Sequence, residues 1–326
     1  MQAYADGSLA ASLTSEQSPP STRHLAPRLA VPCPAPPRLS LPCLTTPYRT
    51  VPCLASGAVY AVKSFDTLKC ARDTTVCETR DNEIGVLRLL REHMSDGVDH
   101  PYIASMVDEL GADGSISHQH AVLEYAEGGS LHRFLHASKA PLPHSAAASA
   151  SRQVACALAH LHGLQVAHRD LKTANVLIVQ PPRADDLLAT LHLKLCDFGF
   201  SCICADRRLK AHCGTPAYLA PEIVTPAEAR AGYLGRPVDM WALGCMLFEL
   251  LHRGRPAFRA EEGFELQGRI RRCNYGPCEK DVPQDARSLL HGLLIAPAER
   301  RLTAAQVLEA PWHTSLPAAP PPPLHL

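Results

Sequence analysis

The sequence predicts an α+β fold of two lobes, in which a small sheet with one helix precedes a larger, mainly helical lobe. Three patterns lead to this prediction. Residues 58–65 are an apolar run with the period-two alternation of a strand. Residues 80–90 place apolar side chains at helical spacing on one face. Residues 145–165 are rich in alanine and again show helical spacing.

Composition limits the class of protein. The chain has 326 residues, 46% of them hydrophobic, and a formal net charge of zero. A neutral chain offers no electrostatic case for a nucleic-acid or anionic membrane partner. There is no apolar run of membrane-spanning length and no secretory signal. We therefore expect a soluble intracellular protein, cytoplasmic or nuclear. Its thirteen cysteines are scattered and odd in number, which favours reduced thiols.

The first 54 residues differ from the rest of the chain. Prolines crowd residues 19–52, and Val-Pro-Cys and Leu-Pro-Cys triplets repeat at a ten-residue period. Such proline density predicts a disordered segment over residues 1–54, either passive or a docking tail. Its end, from Tyr48 to Leu54, has the pattern of one edge strand. A second proline-rich tail is predicted over residues 314–326.

One polar loop carries the chemistry. Asp170, Lys172 and Asn175 lie within six residues, and Asp197 begins an Asp-Phe-Gly triplet further on. Phosphoryl transfer needs a carboxylate to accept the proton of the attacking hydroxyl, cations to hold the phosphate charge, and oxygen ligands for Mg²⁺. Asp170 suits the first task, Lys172 the second, and Asn175 and Asp197 the third.

In this order the motifs resemble those of eukaryotic protein kinases. His168 to Asn175 is followed by Asp-Phe-Gly and Ala-Pro-Glu, and a Val-Tyr-Ala-Val-Lys strand ends upstream at Lys63. Lys172 and a Gly-Thr-Pro triplet at 214–216 are typical of the serine/threonine class. The resemblance covers residues 55–313. It implies an N-lobe over 55–123, a hinge over 124–130 and a C-lobe over 131–313.

The resemblance also implies a binding site for ATP and Mg²⁺. Lys63 would hold the α- and β-phosphates and Glu83 would position it. The adenine would lie between the main chains of Glu124 and Ala126 and the side chain of Leu177. The partners would be ATP, proteins with serine or threonine acceptors, and in addition a regulatory protein.

A glycine-rich turn normally covers the ATP phosphates in this family, but no glycine occurs between Gly7 and Gly57. We therefore expect a sheet of about three strands, with residues 58–65 as an exposed edge. The alternative function is a pseudokinase or regulatory scaffold with impaired ATP binding. A mistaken or incomplete N-terminus is a further alternative.

The activation segment departs from the usual pattern. Ala211 stands where many kinases have a threonine that is phosphorylated. The segment is therefore either held open without phosphate or controlled through Ser201, Thr215 or a partner. Its cysteines suit a redox-sensitive thiol better than a zinc site, and nearby basic residues are expected to lower a thiol pKa.

In the C-lobe, the resemblance implies that Asp239 braces the catalytic loop. Glu222 should pair with an arginine, and the sequence leaves Arg300 and Arg301 equally open. Residues 181–186 read as a surface insertion in a hairpin. Many kinases have acids where this chain has Ser130 and Ala174, so a preference for arginine-flanked substrates is not expected.

Overall fold

The computed structural model describes residues 48–52, 58–66, 70, 72–93, 100–111, 118–138 and 141–316. The chain divides into two units, Met1–Leu41 and Pro42–Leu326, and every described residue belongs to the second. Most of the proline-rich segment, the stretch that lacks a glycine-rich turn, and the tail beyond residue 316 therefore lie outside the described residues.

The first lobe is built on an antiparallel sheet of β1 (Tyr48–Pro52), β2 (Val59–Asp66), β3 (Met106–Leu110) and β4 (His118–Glu124). The strand order is β1-β2-β4-β3, and β1 pairs with β2 along its whole length. The predicted edge strand is thus confirmed, with its proline at the end of the pairing where a missing N–H is tolerated.

Three expectations for this lobe need correction. The sheet has four strands, not about three, and the strand over residues 58–65 lies between β1 and β4 and is not an edge. Regular structure also begins at Tyr48, inside the segment predicted to be disordered up to residue 54. The physical reason is the same in each case, because ladder hydrogen bonds to β2 order a stretch whose composition favours disorder.

One long helix, α1 (Thr74–Glu92), belongs to this lobe and begins before the predicted run at residue 80. Ile84, Val86 and Leu87 are buried in the core. Glu83 is also buried, on the helix that carries these apolar residues. Its position directs a carboxylate towards the strand that carries Lys63.

The second lobe is mainly helical, as predicted. Two long helices, α3 (His144–Gly163) and α7 (Gly235–Leu251), pack against each other at its centre. Nearly every residue of α7 is buried, since it is apolar on all sides. The remaining helices are α2 (Leu131–Ala137), α4 (Leu187–Thr190), α5 (Pro221–Val224), α6 (Pro226–Ala231), α8 (Gly263–Arg271), α9 (Gln284–Leu293), α10 (Ala304–Leu308) and α11 (Pro311–Thr314).

Short strands connect the two lobes. They are β5 (Gly129–Ser130), β6 (Val166–Ala167), β7 (Val176–Ile178), β8 (Leu193–Leu195) and β9 (Cys202–Ile203). Strand β7 lies between β5 and β8, while β6 pairs with β9. The β7–β8 hairpin carries the predicted surface insertion over residues 181–186, which is confirmed. None of the described helices has the length and apolar character needed to span a membrane.

Candidate active site

The β7–β8 hairpin brings two distant sequence motifs together. Asn175 immediately precedes β7, and Asp197 follows β8 by two residues. Because the strands are antiparallel, the start of one lies beside the end of the other. The pairing continues past the strands, since the Cys196 N–H donates to the Asn175 carbonyl at 2.9 Å. The two proposed magnesium ligands therefore lie at the same end of the hairpin.

The catalytic loop is fixed from below by Asp239 on α7. Its carboxylate, which is fully buried, accepts the backbone N–H groups of His168 at 2.9 Å and Arg169 at 2.7 Å. The His162 ring lies 2.9 Å from the same carboxylate. Arg169 has a φ of 65°, a conformation that costs free energy in a non-glycine residue. The predicted brace is confirmed, and it holds this strained turn in place.

Asp170 is at the centre of the polar cluster. One carboxylate oxygen accepts hydrogen bonds from Lys172 Nζ at 2.7 Å and Asn175 Nδ2 at 3.0 Å. The other accepts the Thr215 hydroxyl at 2.8 Å, and Lys172 Nζ also lies 2.8 Å from that hydroxyl oxygen. The sequence treated Thr215 only as a candidate control point. The Gly-Thr-Pro triplet was the signal that could have placed it in the site.

A second cluster joins the lobes. Lys63 Nζ lies 2.7 and 2.6 Å from the two carboxylate oxygens of Glu83, and 2.9 Å from Asp197 Oδ1. Burial raises the pKa of Glu83, although Lys63 opposes the change. Burial alone would also raise the pKa of Asp197, but attraction to Lys63 and its hydrogen bond lower it. The predicted Lys63–Glu83 ion pair is present, and Asp197 completes a triad.

The hinge residues lie at the end of β4. Glu124 closes that strand, and its carboxylate pairs with Lys194 Nζ at 2.6 and 2.7 Å. Its side chain is thereby held by Lys194, which agrees with a role for the main chain alone. Ala126 follows in the connection to β5, and Leu177 is half-buried in the neighbouring β7. The structure thus places the three predicted adenine-binding residues around the junction of the lobes.

The activation segment is anchored without a phosphate. Leu209 and Tyr233 exchange both backbone hydrogen bonds, at 2.8 and 2.9 Å. The Tyr233 hydroxyl donates to the Ala211 carbonyl at 2.5 Å. Ser201 is fully buried and donates to the His168 carbonyl at 3.3 Å. Of the two hydroxyl residues named from the sequence, one is therefore buried and the other, Thr215, contacts Asp170.

The expectation of a thiol with a lowered pKa is wrong for two of the cysteines in this segment. Burial raises the pKa of both Cys202 and Cys204, and it outweighs the nearby arginines. Among the described residues no group of three or more histidine, cysteine, aspartate or glutamate side chains is arranged to hold a metal ion.

The choice between two arginines is decided by burial. Arg301 donates to both carboxylate oxygens of Glu222, at 2.8 and 3.1 Å, and its side chain is fully buried. Arg300, its neighbour, is exposed.

Comparison with known proteins places this architecture. The family model for the protein kinase domain matches residues 50–313. The chain belongs to the protein kinase family. The match begins within strand β1, so the kinase domain starts before the boundary predicted at residue 55.

Relatives of this kinase domain carry serine/threonine names. Serine/threonine-protein kinase DCLK2 of Homo sapiens is 32% identical over 265 residues, which cover 79% of this chain and 31% of that protein. CBL-interacting protein kinase 16 of Oryza sativa subsp. japonica is 30% identical over 261 residues, 79% of this chain and 51% of that protein. Serine/threonine-protein kinase ULK3 of Mus musculus is 33% identical over 258 residues, 78% of this chain and 50% of that protein. The chain thus spans a third to a half of these relatives.

Proposed function

We propose that this chain is a protein serine/threonine kinase, which transfers the γ-phosphoryl group of ATP to a protein hydroxyl. One observation carries the proposal. A carboxylate, Asp170, lies among a lysine, an amide and a hydroxyl, and the hairpin that follows it leads to an aspartate paired with Lys63. These are the groups that phosphoryl transfer requires.

Asp170 would orient the acceptor hydroxyl and take its proton. Its Oδ1 already accepts the hydroxyl of Thr215 at 2.8 Å, so this oxygen is open to an alcohol donor. Lys172 lies 2.7 Å from the other carboxylate oxygen and would stabilise the charge that moves onto the transferred phosphate. The substrate oxygen attacks phosphorus as the bond to the leaving ADP oxygen breaks, and the proton passes to Asp170.

Lys63 would bind the α- and β-phosphates, because its three N–H donors and its charge suit phosphate oxygens. Glu83, which is 1% exposed, holds this cation in place. The adenine would be bound by the main chains of Glu124 and Ala126, with Leu177 beside it. Each of these roles comes from the family pattern and the position of the residue in the cleft.

The oxygens of Asn175 and Asp197 would hold Mg²⁺. The Asn175 Nδ2 donates to the Asp170 carbonyl at 2.8 Å and to its carboxylate, which leaves the amide oxygen for another partner. A side-chain amide oxygen and a carboxylate are hard ligands that this cation prefers. When bound, the ion neutralises phosphate charge.

The alternative is a scaffold that binds partners without catalysis. Nothing in the described part of the chain favours that alternative. A scaffold has no chemical need for a paired lysine, a metal-binding amide and a general base in one cleft, so their proximity supports the enzyme.

The experiment compares the chain with its Asp170→Asn variant in Mg²⁺-ATP, with mixed serine and threonine peptides as acceptors. Loss of the proton acceptor should lower kcat by about 10²–10⁴-fold. Nucleotide affinity should stay within about threefold, since Asp170 contacts the acceptor. Asp185→Asn, at an exposed aspartate in the hairpin insertion, is the matched control and should keep full activity. Wild-type protein that binds ATP without turnover would support the scaffold.

A further inference from the structure

Helix α2 lies beside the proposed acceptor site. Thr173 follows Lys172 in the catalytic loop, and its Oγ1 is 3.3 Å from the Nδ1 atom of His132. The ring of His136, one turn further along, lies 4.3 Å from that of His132. An extended peptide advances about 3.3 Å per residue. A peptide whose hydroxyl reaches Asp170 can therefore pass α2 within a few residues of the acceptor.

The surface of α2 that meets solvent is cationic. His132, Arg133 and His136 are all exposed, and the sequence from Gly128 to Ala137 contains no acid. Ser130 is occupied as the helix cap, because its Oγ accepts the Arg133 N–H at 3.3 Å. A peptide that crosses this helix meets one permanent positive charge and two imidazole rings.

One acid contacts Thr173, but it is not open to a substrate. Glu249 accepts the Thr173 hydroxyl at 2.9 Å and is only 5% exposed. Burial raises the pKa of Glu249, which lessens the charge it presents, although hydrogen bonds from Tyr218 and Thr173 oppose this rise. A cationic side chain would have to displace these contacts to reach the carboxylate.

We propose that the substrates of this kinase carry an anionic group on the peptide flank that crosses α2, and that Arg133 and His132 recognise it. The inference rests on the proposed kinase function and names its substrate class. Arginine offers paired N–H donors to a carboxylate or a phosphate, and an imidazole N–H supplies another. Either group, an aspartate or glutamate side chain or a phosphoserine, fits this chemistry.

Four serine peptides with one common core test the proposal. Their flanks carry aspartate, phosphoserine, arginine or glutamine within three residues of the acceptor, on each side in turn. On the flank that faces α2, the aspartate or the phosphoserine peptide should have a kcat/KM about tenfold above the arginine peptide, with glutamine between them. The relative order of the first two distinguishes carboxylate from phosphate as the recognised group. A preference for arginine on either flank, or no effect of charge, would overturn the inference.

The variant Arg133→Gln should lower the ratio of acidic to neutral peptide about threefold, and Arg133→Glu should reverse it. The matched control is Arg183→Gln, because this arginine is exposed in the hairpin insertion and outside the site. It should leave the ratio unchanged. Equal ratios for the wild type and both Arg133 variants would contradict the assignment.

A binding measurement separates this inference from the proposed function. Fluorescence anisotropy of the labelled peptides with the Asp170→Asn protein needs no catalysis. If no peptide is phosphorylated but anionic peptides bind through Arg133, the kinase function fails and the surface assignment stands. If the glutamine peptide is phosphorylated as well as the others and all bind equally, the function stands and the inference fails.

Discussion

The Glu222–Arg301 pair should be worth more to stability than any other ion pair that the structure describes, and the two partners should not contribute equally. Arg301 is fully buried and donates to the carbonyls of Pro237, Ile295 and Ala296 as well as to Glu222. Glu222 is 9% exposed by its side chain and has Arg301 as its cation. Removal of either partner leaves a buried charge without its counter-charge.

The magnitude follows from what each substitution leaves behind. Glu222→Gln keeps the side-chain shape, and Arg301 retains its three carbonyl acceptors, so we expect a loss of about 3 kcal/mol in the free energy of unfolding. Arg301→Met leaves a buried carboxylate and three carbonyls without their donor, which adds desolvation costs and raises the loss to about 5 kcal/mol. Arg300→Met is the matched control, since this exposed neighbour should change stability by less than about 0.5 kcal/mol.

Urea unfolding followed by tryptophan fluorescence measures these differences, and thermal unfolding should show Glu222→Gln about 6–12 °C below wild type. The double variant should cost less than the sum of the single changes, because no charge is then left unpaired. If the substitution of Arg301 costs no more than that of Glu222, or if Arg300→Met is as damaging as Arg301→Met, the reasoning is refuted.

Two further predictions concern the core. Burial lowers the pKa of His100 from 6.5 to about 4, so the unfolded chain binds the proton first, and stability should fall as pH drops through 6.5 towards 4. Between about pH 7.5 and 5, wild type should lose about 1–2 kcal/mol more than His100→Gln in urea unfolding; an equal loss would contradict this. A Cβ at Gly235 would lie 2.5 Å from that of Ala167, so Gly235→Ala should cost about 2 kcal/mol, whereas Gly85→Ala, in open space on α1, should stabilise by about 0.5–1 kcal/mol in the same assay.

Local patterns predicted much of the fold. The amphipathic run of α1, the apolar strand that ends near Lys63 and the helical spacing of α3 all depend on side chains close together in sequence. The edge strand β1 was within reach of the same reasoning, but its composition also favoured disorder. Only the ladder to β2 decided between the two, since a strand is stabilised by hydrogen bonds to a partner that its own sequence does not contain.

The sequence alone determined which residues can carry the chemistry, because Asp170, Lys172 and Asn175 occupy one short loop with spacing that the printed chain makes plain. Only the tertiary structure decided who meets whom. Lys63 finds Asp197 across 134 positions, and Thr215 reaches Asp170 across 45. Burial is likewise a property of the folded chain, which is why adjacent arginines differ so completely and why the thiol pKa values move against their basic neighbours in sequence. Contacts and desolvation arise from packing, and packing is set by the whole domain.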